Sequence, residues 1–253
     1  PFRSKSAAVF EYRKLRILRN IIMSDKVRIG IIGVGTIGSV HANNYAKVEN
    51  AEVVALCDIL PDRLAEKAKT HEVAKTYADY NDLLADPEIE AVTVETEEIY
   101  LTKYALMVAN AGKHLHMEKP GGVELADFEK LVEILKSKNL SFSTGYMYRF
   151  NPKIQEALAK IKNGELGEIY SVEAHMDCKH PAEVRQWLQN FPGGMMFFLG
   201  CHLVDLVIGF MGMPKEIIPL NSWSAQHLKK RLPISRLSSK HKREHHAVCY
   251  LAG

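Results

Sequence analysis

The sequence predicts an α/β chain: a doubly wound parallel sheet of the Rossmann type, followed by a second, incomplete α/β domain. Three observations carry this. A strand-length apolar run over 27–32 leads directly into Gly33-Val34-Gly35-Thr36-Ile37-Gly38. A second apolar run over 52–57 ends in Asp58, 20 residues after Gly38. From there to residue 144, short apolar runs alternate with helix-length stretches, the pattern of repeated β-α units.

The elements follow in order. A helix over 39–48 closes the first βαβ unit. Helices are expected over 61–70 and 80–85, a strand over 91–94, a helix over 101–111, a strand over 114–117 and a helix over 125–138. Past residue 144 the pattern predicts a helix over 153–162, a strand over 168–178, a helix around 199–211 and a strand over 216–220. The chain therefore divides into a leader (1–22, with Met23 read as the start of the folded protein), a dinucleotide-binding domain (23–144), a partial substrate domain (145–220) and a basic tail (221–253). The tail lacks any sustained period of two or 3.6 and is expected to be without regular structure.

Composition narrows the function classes. At 253 residues, 47% hydrophobic and 25% charged, the chain matches a globular protein and not a collagenous, disulfide-scaffold or disordered one. No apolar run approaches the ~18 residues of a membrane span, so no membrane partner is expected. Cys57, Cys178, Cys201 and Cys249 form no C-x-x-C pair, which points to a reducing, cytoplasmic setting and to no metal site. The net charge of +3 conceals an acidic body, since residues 23–220 hold 20 basic and 28 acidic side chains. The basic ends carry no recognition motif, and no nucleic-acid partner is expected.

The glycine pattern assigns a cofactor. Gly33 makes the tight turn, Gly35 lets the backbone approach a pyrophosphate, and Gly38 permits close packing of helix on strand. The N–H groups around Thr36 and Ile37, at the helix start, hold the phosphates. Asp58 accepts hydrogen bonds from ribose hydroxyls and repels a 2′-phosphate, favouring NAD over NADP. Arg63 is either a solvated surface residue or a 2′-phosphate contact, so NADP stays open.

Further along come Ala111-Gly112-Lys113-His114 and Glu118-Lys119-Pro120, then Gly145-Tyr146-Met147-Tyr148-Arg149-Phe150-Asn151-Pro152. Gly164-Glu165-Leu166-Gly167, Gly193-Gly194 and Gly200-Cys201-His202-Leu203-Val204-Asp205 follow. Over about 26–220 the chain resembles the Gfo/Idh/MocA oxidoreductases. The resemblance implies a hydride transfer between NAD(P) and a secondary alcohol of a sugar, inositol or related polyol, in an enzyme that commonly forms homo-oligomers through its C-terminal sheet. It adds Thr96, Glu118 and Lys119 to the cofactor-binding set and makes Lys119 and His202 the catalytic pair. From the residues alone, Lys119 follows an apolar strand at the carboxyl edge of the sheet, where ligands bind, with a surface ion pair as the competing reading, and a lone histidine such as His202 is more often a satisfied core residue. Tyr148, Arg149 and Asn151 are candidate substrate contacts, with aromatic packing and a structural ion pair as competing readings. The chain departs from the family pattern at Phe198, where many members carry Asp, and at Thr96-Glu97-Glu98, where they show T-P-N. These departures keep a second reading open, a non-catalytic dinucleotide-binding module.

Overall fold

A computed structural model describes residues 26–188, 193–222, 234–240 and 246–252, so the leader and part of the tail lie outside the described residues. The chain forms two compact units. One comprises residues up to 96 with 104–116 and 131–142; the other comprises 97–103, 117–130 and everything from 143 onward.

Six strands, β1 (Val27–Ile32), β2 (Ala51–Cys57), β3 (Lys75–Tyr77), β4 (Ala91–Val94), β5 (His114–Met117) and β6 (Phe142–Thr144), lie in the order β3-β2-β1-β4-β5-β6. The β1–β2, β1–β4 and β2–β3 pairs are parallel. This is the doubly wound order, whose switch point lies between β1 and β4, at the strands' carboxyl ends. The helices between strands are α1 (Thr36–Tyr45), α2 (Pro61–Thr70), α3 (Tyr80–Ala85), α4 (Leu101–Asn110) and α5 (Leu125–Ser137). Near-continuous apolar strands form the centre of the sheet because helices cover its faces. Ile31 and Leu56 are fully buried against Val34 of the turn, Ala42 and Leu64 of the helices, and Val73 of the loop before β3. Each such side chain contributes about 1.5–3 kcal/mol relative to exposure.

The second unit carries α6 (Pro152–Lys162), β7 (Ser171–Asp177), α7 (Ala182–Leu188), a π-helical turn (Met196–Gly200) that runs into α8 (Cys201–Met211), and β8 (Glu216–Ser222). Strand β7 alternates: Val172, Ala174 and Met176 pack against Leu188, Met195, Leu203 and Val207, while the residues between them are exposed. The expectation of an unstructured tail is corrected. Strands β9 (Ile234–Lys240) and β10 (His246–Ala252) complete a four-stranded sheet in the order β7-β10-β9-β8. Strand β10 runs parallel to β7 and antiparallel to β9, which in turn is antiparallel to β8. The apolar run Ala247–Leu251 was the available signal, masked by the Lys/His-rich residues before it; β9 has no alternation and is specified by pairing on both edges.

Among the described residues no helix is long and apolar enough to cross a membrane.

Candidate active site

The first unit builds a dinucleotide turn. Helix α1 starts at Thr36, three residues earlier than expected, with Gly35 as N-cap and no side-chain cap. Its first N–H groups are thus presented to a ligand at the positive end of the helix dipole. Gly33 has φ +91°, and a Cβ there would sit 2.5 Å from the Glu95 carbonyl oxygen. At Gly38 a Cβ would collide with the Gly33 carbonyl oxygen. These are cradles that only glycine fits, and they meet the requirement of a phosphate approaching bare backbone. Thr36 and Ile37 are exposed at the turn, and the Thr96 methyl lies beside Gly33.

Asp58 is buried. Its Oδ2 accepts from Val34 N at 3.0 Å and its Oδ1 from Leu60 N at 2.9 Å, so the carboxylate ties β2 to the glycine turn. Arg63 closes on it, with Nη2 3.1 Å from Oδ1 and Nε 3.1 Å from Oδ2. The reading of Arg63 as a merely solvated side chain is corrected: its guanidinium is held by Asp58 beside Gly35. Gly35, Thr36, Ser39, Pro61 and Arg63 are among the walls of a cleft of about 710 Å³.

The second unit gathers the proton-transfer candidates. Lys119 follows β5, its peptide bond to Pro120 is cis, and its Nζ donates to the Phe198 carbonyl oxygen at 2.9 Å. The same Nζ lies 4.5 Å from the Phe198 ring centroid and 3.9 Å from Glu98 Oε1. Glu98 is buried, and burial pushes its carboxyl above the ordinary 4.5 against the opposing pull of Lys119. Glu118 accepts from Lys119 N at 3.1 Å and occupies the space a side chain at 145 would need.

His202, on α8, is only 4% exposed. Edge-on aromatic contacts hold its ring between Tyr148, 5.3 Å away, and Tyr146, 6.0 Å away. Its Nδ1 has no hydrogen-bond partner among the described residues. Burial lowers the imidazole pKa below 6.5, and the Lys119 charge pushes the same way. The imidazole is therefore neutral at pH 7, with a lone pair to accept a proton. Burial also raises the Tyr146 phenol to about 12 and the Cys201 thiol to about 11, which keeps both neutral around it.

Two of the candidate substrate contacts have structural duties. Arg149 Nε lies 3.0 Å from each carboxylate oxygen of Asp205, a fork that joins the turn after β6 to α8. The ion-pair reading of Arg149 is the one observed. Asn151 Oδ1 accepts from Lys153 N at 2.9 Å and caps α6. Tyr148 reaches His202. Glu98 enters the sequence reading only as part of the departure from T-P-N; its place 3.9 Å from Lys119 is made by the fold.

Residues 27–146 match the family model described as an oxidoreductase family with an NAD-binding Rossmann fold, and residues 154–226 match the GFO/IDH/MocA C-terminal domain. The myo-inositol 2-dehydrogenase of Thermotoga maritima is 30% identical over 190 residues, covering 75% of this chain and 56% of that one. The inositol 2-dehydrogenase of Acidothermus cellulolyticus is 34% identical over 158 residues, covering 62% and 46%. The chain thus spans about half the length of these relatives. Among solved structures, scyllo-inositol dehydrogenase from Lactobacillus casei, with bound NAD(H) and scyllo-inositol, shares the fold with a TM-score of 0.81 at 22% identity, over 90% of this chain and 70% of that one.

Proposed function

The chain belongs to the Gfo/Idh/MocA oxidoreductase family, and from that premise we propose that it oxidises a secondary alcohol of an inositol, sugar or related polyol, with NAD as the hydride acceptor. The observation that carries the proposal is the buried His202. It stands in the same unit as Lys119, and burial, helped by the Lys119 charge, holds its imidazole pKa below 6.5. The names of the relatives make inositols the first substrates to test.

NAD, when bound, supplies a nicotinamide ring that takes up the hydride. In the first unit, Gly33, Gly35, Thr36, Ile37 and Gly38 would hold its pyrophosphate and Asp58 its adenosine ribose, with Thr96 at the turn. Asp58 favours NAD over a 2′-phosphorylated cofactor by charge repulsion. In the second unit, Lys119 Nζ donates to the substrate oxygen and stabilises negative charge developing there. The His202 imidazole accepts the hydroxyl proton. The bonding pair of the C–H bond leaves as hydride, the proton leaves to His202, and the alcohol becomes a ketone. Glu98, with Lys119 at 3.9 Å, takes the place of the family's Asp as the carboxylate neighbour of the lysine. Glu118 fixes the backbone at Lys119, and Tyr148 fixes the His202 ring.

A second reading, dinucleotide binding without turnover, draws support from Phe198, which offers Lys119 a carbonyl and a ring but no exchangeable proton. One experiment separates the two. The purified chain is incubated with NAD and a panel including myo- and scyllo-inositol, and NADH absorbance is followed. Turnover that disappears in Lys119→Ala supports the dehydrogenase; saturable NAD binding without turnover on any polyol establishes the second reading.

A further inference from the structure

Beneath the glycine turn of the first unit lies a group that the dehydrogenase reading does not use. His41 points from α1, Glu95 follows β4, and His116 sits on β5; one ligand atom from each lies within 4.8 Å of the other two. His41 Nε2 is 3.6 Å from Glu95 Oε1, and the two imidazole rings are 5.1 Å apart, inclined at 50°. The Glu95 side chain is 0% exposed and that of His41 21%, while His116 is half-buried. We propose that His41, Glu95 and His116 form a binding site for a single divalent transition-metal ion of the zinc class.

Two imidazoles and one carboxylate are the donor set of open zinc and non-haem iron sites, in which solvent fills the remaining positions. The 3.6 Å between His41 and Glu95 is close to the spacing of two ligands on one tetrahedral ion with bonds of about 2.0–2.1 Å. The His116 ligand atom lies within 4.8 Å of both of the others. The carboxylate is itself braced: Thr93 Oγ1 donates to Glu95 Oε1, and Tyr45 is hydrogen-bonded to Thr93. Outer hydrogen bonds of this kind orient metal-binding carboxylates. All three ligands stand on or directly beside regular elements, which gives them fixed positions. The partial exposure of the histidines provides an entry path for the ion.

The location gives the ion a consequence. Glu95 N donates to Ile32 O at 2.8 Å, and the Glu95 carbonyl is the group that forbids a side chain at Gly33. Metal bound at the triad would tie α1, β4 and β5 together at the base of the dinucleotide turn.

The test uses the full chain with His227, His241, His245 and His246 changed to Asn, so that the histidines of the tail contribute no ligands. Chelator-stripped protein is titrated with Zn2+ by calorimetry and with Co2+ by visible absorption. One equivalent is expected, with affinity falling by at least about tenfold in His116→Asn and in Glu95→Gln. In the chain with His41, Glu95 and His116 intact, carbethoxylation of His41 and His116, mapped by mass spectrometry, is expected to fall when one equivalent of Zn2+ is present. That readout does not depend on how the variants fold. Absence of stoichiometric binding, binding unaltered by both substitutions in folded protein, or unchanged modification of the two histidines overturns the proposal.

Discussion

Lys119 and Phe198 meet twice: the ammonium donates to the Phe198 carbonyl oxygen at 2.9 Å and lies 4.5 Å from the centre of the Phe198 ring. A residue that cannot exchange a proton thus still positions the lysine, one contact depending on backbone and the other on side chain. The ring is in turn packed edge-on against Trp187 at 5.5 Å and His180 at 6.2 Å.

The two contacts can be separated. Phe198→Leu keeps the carbonyl and removes the ring, which is expected to cost about 1–2 kcal/mol from lost cation–π and aromatic contacts. A lowered melting temperature with turnover reduced less than about tenfold would show that the carbonyl does most of the positioning. A turnover loss as large as that from removing the lysine itself would assign that role to the ring.

Removal of the lysine tests the chemistry directly. Lys119→Met retains the length of the side chain but neither charge nor donor, and turnover is expected to fall by about 10² to 10⁴. NAD affinity, followed by protein fluorescence, should change far less, because the glycine turn and Asp58 lie in the other unit. Equal losses in affinity and turnover would make Lys119 a cofactor ligand and not the donor that stabilises charge on the substrate oxygen.

What could be read from sequence follows from how local each cause is. The strand at Ala91–Val94 and the helices Pro61–Thr70 and Tyr80–Ala85 have the expected boundaries, because an apolar run, a Pro at the first helical turn and the Asp79 cap are local signals. Lys75–Tyr77 and Phe142–Thr144 are three-residue strands that were not expected; Lys75–Tyr77 is fixed by its pairing with 55–57, and neither run is long enough to show a period. The fingerprint and Lys119 were legible because each is a contiguous motif. Glu98 beside Lys119, and His41 with Glu95 and His116, are proximities made by the fold, and no local pattern announces them.

The depressed pKa of His202 has a definite sign in stability. The unfolded imidazole titrates near 6.5 and the folded one below it, so the unfolded state takes up the proton first as pH falls. This contribution is fully present above the unfolded value and is lost as pH drops through the folded one. Between pH 8 and pH 5 the melting temperature of the wild-type chain should therefore fall more steeply than that of His202→Asn, which cannot titrate there. Parallel curves would mean that the imidazole has an ordinary affinity for protons.

Asp58 and Arg63 make the last prediction, because their joint grip divides structure from specificity. Asp58→Ala strips the acceptor from two backbone N–H groups, Val34 and Leu60, at about 1–3 kcal/mol for each one left buried and unpaired. It should lower stability and NAD affinity together. Arg63→Ala leaves both of those bonds in place. If the guanidinium can leave Asp58 to meet a 2′-phosphate, Arg63→Ala should weaken NADP binding while sparing NAD, as read by parallel titrations followed by protein fluorescence. Equal loss of both cofactors would instead show that Arg63 acts only by steadying Asp58 against the glycine turn.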